Sequence, residues 1–286
     1  MIVDCHTHIF PPEFIAQRER YLAKDRWFGL LYESPKARMA TGEDLVAEMD
    51  QSGVDVSVTF GFAWSDMALC RENNDYVLDA CRRYPGRLVG FGCVQPRAGR
   101  EAVREVERCL AEGMAGIGEL MPDGQGFDLD DARVMGPVVA ALVEAGAPLM
   151  VHTSEPVGHD YCGKGTVTPG TVYNFARMYP ELTLICSHWG GGLPFYELMP
   201  EVRKALARVC YDTAASPLLY DDRIFPLLVG MMPDKLLFGT DYPLLRQRPF
   251  VERVRESGLD REAQALVLGQ NALRVLGVLA EERRKR

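Results

Sequence analysis

The sequence predicts a single-domain α/β protein built as a (β/α)8 TIM barrel. Three observations predict it: short apolar runs alternate regularly with amphipathic stretches, eight such runs fit in 286 residues, and the histidines gather at their ends. Strands that alternate with helices pair in parallel, and eight parallel strands close a barrel. Barrels of about 250 residues or more are single domains, so the length does not demand two. A doubly wound open sheet is the alternative, but no G-x-G-x-x-G turn follows any strand candidate.

The strand candidates are Ile2–His6, Val54–Phe60, Leu88–Val94, Met114–Leu120, Pro148–His152, Thr183–His188, Val209–Thr213 and Leu236–Thr240. Helix signals separate them. Thr41 and Asp44 have capping-box spacing, with Leu45 and Met49 on the apolar face that follows. Helical patterns over Asn74–Tyr84, Arg100–Glu112 and Asp130–Glu144 stop before Pro85, at Gly113 and before Gly146, where helices end. A last helix is expected over 260–286, its EERRKR tail at 281–286 a solvated end. One connection breaks the rhythm. Residues 9–40 separate the first strand from its helix and carry Phe10, Phe14, Tyr21, Trp27, Phe28 and Tyr32. A loop that long is functional or disordered, and this one is too aromatic for disorder. It is expected to fold as a lid-like insertion over the barrel mouth; an ordered insertion without ligand contact is the plainer alternative.

Composition excludes several functions. Forty acidic against 32 basic residues give a net charge of −8, which argues against nucleic acid as a partner. No apolar run approaches the roughly 18 residues of a membrane span. The N-terminus MIVDCHTHIF lacks the basic region and cleavage site of a secretory signal, so a cytoplasmic protein without membrane contact is expected. The eight cysteines form no C-x-x-C pair, and Cys5, Cys93, Cys186 and Cys210 lie in apolar runs. They read as reduced, buried thiols.

The histidines carry the chemistry. Of five, His6 and His8 end the first strand, His152 the fifth and His188 the sixth, while Asp241 follows the eighth. In a parallel barrel all these ends meet at one face, where active sites form. His6 and His8 are two apart on a strand and point to the same side, a chelating pair for a borderline divalent ion. His152 can add a ligand from across the barrel, and Asp241 can bind the ion, take a proton, or both. A lone core histidine is usually only a satisfied side chain; four at one face are not well explained that way. His159, in the loop after the fifth strand, reads as a surface or lid residue.

His6-Thr7-His8, His152 in VHTSEP, His188 in SHWGGG and Asp241 in FGTDYP together resemble the amidohydrolase superfamily, in the right order along the whole chain. The branch most resembled is the amidohydrolase-related group that includes aminocarboxymuconate-semialdehyde decarboxylase. The resemblance implies a (β/α)8 barrel with His6, His8, His152 and Asp241 as metal ligands. It implies His188 as the group that polarises the substrate or moves a proton, and a possible homodimer. The bridging carboxylated lysine of many two-metal members has no counterpart: Lys24, Lys36, Lys164, Lys204 and Lys285 are off the strand ends, and Lys235 precedes the eighth strand at the wrong end. Glu119, in GIGEL at the end of the fourth strand, resembles the bridging glutamate of some branches and is a candidate metal or substrate contact. Its plainer alternative is an ion pair with a basic neighbour. Asp212, ending the seventh strand, can orient a ligand histidine or cap a helix.

The expected function is a metal-dependent hydrolase of an amide, ester or lactone-type small molecule, with Asp241 passing the water proton to the leaving group and His188 stabilising the oxyanion. Zinc is the first expectation for the ion, and manganese, iron or cobalt suit the same ligands. One ion per chain is expected. The alternative is a metal-dependent non-oxidative decarboxylase of an unsaturated or aromatic carboxylic acid, a carbon–carbon lyase, in which Asp241 and His188 protonate carbon. A decarboxylase needs an arginine for the carboxylate; Arg18, Arg20, Arg26, Arg38, Arg246 and Arg248 are candidates. A metal-binding barrel without activity is the third reading. Trp189 can form a pocket wall or cap the barrel, and Gly190–Gly192 make a turn whose amides can face an anion.

Overall fold

The computed structural model describes residues 1–277. Its strands are β1 Val3–His8, β2 Val56–Phe60, β3 Leu88–Gly92, β4 Gly116–Leu120, β5 Leu149–Val151, β6 Leu184–Cys186, β7 Val209–Asp212 and β8 Leu236–Leu237. Sequence order is sheet order, and each successive pair is parallel. The sheet closes past the short β8. Cys5 N–H donates to Phe238 O at 2.7 Å, Asp241 N–H to His6 O at 2.9 Å and His8 N–H to Tyr242 O at 2.7 Å. This is the expected (β/α)8 barrel.

Several strands stop earlier than the apolar pattern suggested. β5 ends at Val151, β6 at Cys186 and β8 at Leu237, before His152, His188 and Asp241. Apolar runs record burial, not ladder pairing, and at the mouth the chain is buried while it bends away from its neighbours. Val58, Phe60, Phe91, Met150, Ile185 and Leu237 fill the barrel interior. A larger apolar layer lies between strands and helices.

The helix signals act locally as expected. Thr41 Oγ1 accepts Asp44 N–H at 3.2 Å, Asp44 accepts Thr41 N–H at 2.9 Å, and helix Gly42–Ser52 ends at left-handed Gly53. Helix Met67–Arg83 begins well before Asn74, because Asp66 caps it by accepting Ala68 N–H at 2.7 Å. The C-terminal segment is helical over Arg261–Ala265, widens into a π turn over Leu266–Gln270 and continues through Asn271–Val275. Gly269 sits in that turn, where a β-carbon would lie 2.4 Å from Met1 O. The tail 281–286 lies outside the described residues. No helix among the described residues is long and apolar enough to cross a membrane. All eight cysteines are free, with Cys5, Cys93, Cys186 and Cys210 buried.

Residues 9–40 form three short helices, Pro12–Ala16, Arg18–Lys24 and Arg26–Tyr32. Their aromatic side chains make the layer that holds them down. Phe14 and Phe28 pack on Trp64, with ring centroids 5.5 and 4.5 Å apart, and Phe14 meets Tyr21 at 4.1 Å. Asp25 pins the insertion to the segment after β2. Its carboxylate accepts the amides of Trp27 and Phe28 at 2.9 Å, and Ser65 N–H and Oγ at 2.8 and 2.7 Å.

Candidate active site

A cavity of about 440 Å³ opens at the C-terminal ends of the strands. Its floor is polar: His8, Glu119, His152, His188 and Asp241. Its walls are largely apolar. Leu31 and Tyr32 come from the 9–40 insertion, Phe62 from the β2 loop, and Leu218, Leu219 and Leu244 from the loops after β7 and β8.

Four histidines are each pinned at one ring nitrogen, three through Nδ1 and His152 through Nε2. His6 Nδ1 pairs with Asp212 Oδ2 at 2.9 Å, His8 Nδ1 with Gly61 O at 3.2 Å, His152 Nε2 with Gly163 O at 2.9 Å and His188 Nδ1 with Ala214 O at 3.1 Å. An N–H donated to a carbonyl or carboxylate fixes the ring and leaves the opposite nitrogen as a lone pair, the usual setting of a metal-binding imidazole. The four opposite nitrogens gather around Glu119. Glu119 Oε2 lies 3.6 Å from His6 Nε2 and 3.9 Å from His8 Nε2. Its Oε1 lies 3.2 Å from His152 Nδ1 and 3.5 Å from His188 Nε2. Asp241 Oδ1 joins the first pair, 3.3 Å from His8 Nε2 and 3.6 Å from His6 Nε2.

These spacings fit a divalent ion. Ligand bonds of about 2.1 Å place neighbouring donors roughly 3.0–3.4 Å apart in octahedral or tetrahedral geometry. His6, His8 and Glu119 make one such cluster; Glu119, His152 and His188 make a second. The expected ligands His6, His8 and Asp241 therefore stand together, and His152 stands beside His188 on the other oxygen of Glu119. Glu119 is linked to both groups.

The local chain explains these positions. A register shift in β1 between Asp4 and Thr7 accompanies the turn of both histidines toward the mouth. Gly118 is required before Glu119: it has φ 125°, and a β-carbon there would lie 2.2 Å from Met150 O. From His188 to Gly192 the backbone is left-handed throughout, with φ from 56° to 95°. A β-carbon on Gly191 would lie 2.2 Å from Ser154 O, so the glycines make a turn pressed against the β5 loop. Trp189 is buried and packs on Phe225 at 5.2 Å, and it does not line the cavity. Asp212 Oδ1 accepts His188 N–H and Ala214 N–H, both at 3.0 Å, so this carboxylate orients two of the histidines.

Burial and charge oppose each other here. Burial alone would raise the Glu119 carboxyl, but His6 and His152 hold it well below the usual range. Burial would lower His6, but Asp212 and then Glu119 push it well above its ordinary value. His188 is disfavoured as a cation by burial, yet Glu119 brings it up to about 9. Burial raises Asp241, and His8 with His6 overcomes this to bring it down to about 2. The site is thus a block of acids and bases that share charge, and ions replace protons in such blocks.

Among the arginine candidates, Arg38 alone lines the cavity. Arg18 bonds the carbonyls of Tyr32, Ser34 and Ala37, Arg246 pairs with Glu48 at 2.5 Å and Arg248 with Glu252 at 3.0 Å. His159, with Tyr161 and Cys162, lines the cavity from the β5 loop. Lys235 pairs with Glu197 at 2.6 Å, away from the site. Sequence reading missed the carbonyls of Gly61, Gly163 and Ala214 that orient three histidines, because a backbone contact leaves no mark in residue type.

A protein-family model described as "Amidohydrolase" matches residues 3–278. Among solved structures, 5-carboxyvanillate decarboxylase from Sphingomonas paucimobilis is 19% identical, covering 96% of this chain and 98% of its own, with a TM-score of 0.79. The same-named enzyme from Novosphingobium aromaticivorans, solved with manganese and 4-hydroxy-3-methoxy-5-nitrobenzoic acid, is 20% identical over 97% of this chain and 96% of its own, with a TM-score of 0.80. 2,6-Dihydroxybenzoate decarboxylase from Rhizobium is 17% identical over 97% and 98%, with a TM-score of 0.73.

Proposed function

From a chain that belongs to the amidohydrolase family, we propose a metal-dependent, non-oxidative decarboxylase of aromatic or unsaturated carboxylic acids. This moves the preferred reading from hydrolysis to carbon–carbon cleavage. The observation that carries it is the pairing, in one small apolar-walled cavity, of Arg38 on the wall with an acid–base cluster on the floor. A cavity of about 440 Å³ suits a single substituted ring. The similar structures named for decarboxylation of benzoic acids, one holding manganese, support the same reading.

His6, His8 and Asp241, which stand together beside Glu119, would hold the ion, while His152 stands with His188 on the other oxygen of Glu119. When bound, a divalent ion would supply the positive charge that draws electron density into the substrate's oxygens. Arg38 would grip the carboxylate or a neighbouring oxygen; its Nη2 already donates to Leu244 O at 2.8 Å, which aims the guanidinium along the wall. His188 holds a proton in the ion-free site, with Glu119 beside it. As the bond to the carboxyl carbon breaks, its electron pair stays on the ring carbon and takes that proton, and CO₂ departs. His188 regains a proton from water. The apolar walls exclude bulk water and favour loss of charge from the carboxylate.

A second reading is favoured by the Glu119–His152–His188 cluster. If that cluster holds a second ion, His188 is a ligand and not an acid, and the site is a two-ion hydrolase in which Asp241 moves the water proton. The test is product analysis with manganese- or zinc-loaded protein in D₂O. Hydroxybenzoic acids, among them 2,6-dihydroxybenzoate and 5-carboxyvanillate, are offered beside lactones, esters and amides. Released CO₂ with one deuterium on the ring carbon that bore the carboxylate supports the decarboxylase. A water-cleaved bond without CO₂ overturns it in favour of the hydrolase.

A further inference from the structure

Asp4 lies on β1 two residues before His6 and is wholly buried. It does not line the cavity. Its carboxylate is spent on four donors from three parts of the chain. Thr240 gives its N–H at 2.9 Å and its hydroxyl at 2.6 Å, Gln247 gives Nε2 at 2.9 Å, and His6 gives its N–H at 3.2 Å. Thr240 Oγ1 in turn accepts Tyr242 N–H at 3.1 Å. The amides on both sides of Asp241 therefore lead back to Asp4, one directly and one through the threonine hydroxyl. Asp241 N–H itself donates to His6 O at 2.9 Å.

This matters because only an isolated bridge to β1 holds that segment. β8 ends at Leu237, so no long ladder reaches Asp241. Asp241 also has φ 66°, a left-handed conformation that a side chain adopts only where its surroundings impose it. A carboxylate buried away from water must be fully bonded, and a fully bonded one is rigid. The bonds of Asp4 join the backbone of His6 to the residues flanking Asp241, and so set two site residues against each other.

We propose that Asp4 is a positioning residue that fixes Asp241 against His6, and that the ion site is mis-set without it. This rests on the reading that Asp241 helps hold the ion. Gln247 touches the same carboxylate but bonds nothing next to Asp241, which makes it the control. Mn²⁺ affinity is measured by equilibrium dialysis, alongside thermal melting, for Asp4→Asn, Thr240→Val, Gln247→Leu and Asp241→Asn. Asp4→Asn and Thr240→Val are expected to weaken Mn²⁺ binding about tenfold or more, the usual scale for groups that orient ligands. Gln247→Leu should lower the melting temperature and keep the wild-type affinity. Wild-type affinity in both Asp4→Asn and Thr240→Val, with loss in Asp241→Asn, overturns the role of Asp4 and leaves the ion site standing. Wild-type affinity in Asp241→Asn overturns the ligand reading itself. An equal loss in Gln247→Leu reduces the effect to general loosening and also overturns the proposal. Should Asp4→Asn fail to fold, Thr240→Val decides.

Discussion

Asp212 Oδ2 meets His6 Nδ1 at 2.9 Å, and neither side chain touches solvent. The other oxygen of Asp212 accepts the amides of His188 and Ala214. In Asp212→Asn the amide oxygen can serve those two amides only if the NH₂ group faces His6. That NH₂ asks His6 Nδ1 to accept, which moves the ring proton to Nε2 and blocks the ligand atom. Mn²⁺ affinity should fall about ten- to a hundredfold, as for other groups that orient ligand histidines. Dialysis that finds the affinity unchanged would remove His6 from the ligand set.

Glu119 decides the ion count. In the decarboxylase reading its negative charge supports His188 as an acid, and metal analysis of protein purified without chelator should give one ion per chain. Glu119→Gln should leave that count unchanged and lower kcat. Two ions that fall to one in Glu119→Gln would make Glu119 the bridge, at the roughly 3.5–4 Å ion spacing of two-metal sites, and the hydrolase the correct reading.

Arg38 shares no hydrogen bond with the acid–base cluster and can be probed separately: it is exposed, sits on the cavity wall and is held by Leu244 O. Arg38→Met keeps the length and apolar stem while removing the charge. For a carboxylate substrate KM should rise roughly ten- to a hundredfold with a smaller change in kcat, as expected when binding shared by ground and transition states is lost. Steady-state kinetics on the acid identified by CO₂ release measure it; a fall in kcat alone would place Arg38 in the chemistry.

The barrel was legible because its signals are local and repeated. Eight apolar runs, a capping box at Thr41 and a helix stop at Gly146 each act within a few residues. His6, His8, His152, His188, Glu119 and Asp241 were legible because strand ends share one face. What stayed hidden depends on partners distant in sequence. Nothing near Asp4 announces that it bonds Thr240 and Gln247, and nothing near Arg38 separates it from Arg18, which is consumed by backbone carbonyls. The strand ends at β5, β6 and β8 were overrun for a related reason: burial at the mouth continues after pairing has stopped.

The ion-free site should make stability pH-dependent in a defined window. His188 rises from an ordinary 6.5 to about 9 in the folded chain, so its stabilising contribution is complete below 6.5 and is lost as pH climbs through 9. Asp241, held down to about 2, contributes above its ordinary 3.8 and loses that contribution only as pH falls through 2, outside the window. Metal-stripped protein should therefore lose a few degrees of Tm as pH rises above 6.5, and His188→Asn should reduce that slope, with His6, raised likewise by Asp212 and Glu119, carrying the remainder. Ion-loaded protein should not show the loss, because ligand atoms that release protons bind the ion better at higher pH. Calorimetry across the window checks it; an undiminished slope in His188→Asn would assign the titration to another group.

His188→Asn also separates the two chemistries. The ring donates from Nδ1 to Ala214 O and presents Nε2 to Glu119 at 3.5 Å, a geometry open to an acid and to a ligand alike. As an acid, His188 supplies the proton that the ring carbon takes; Asp241 and Glu119 are both held in the carboxylate form and have none to give. Asparagine preserves a hydrogen-bonding group of smaller size but cannot carry that proton. Turnover should drop at least about a hundredfold, roughly 2.7 kcal/mol of barrier, while the single ion stays bound. Single-turnover measurements should then show CO₂ release slowed and no longer dependent on the titration of His188. If His188→Asn instead strips an ion from the protein in proportion to its lost activity, His188 is a ligand, and the two-ion hydrolase replaces the decarboxylase.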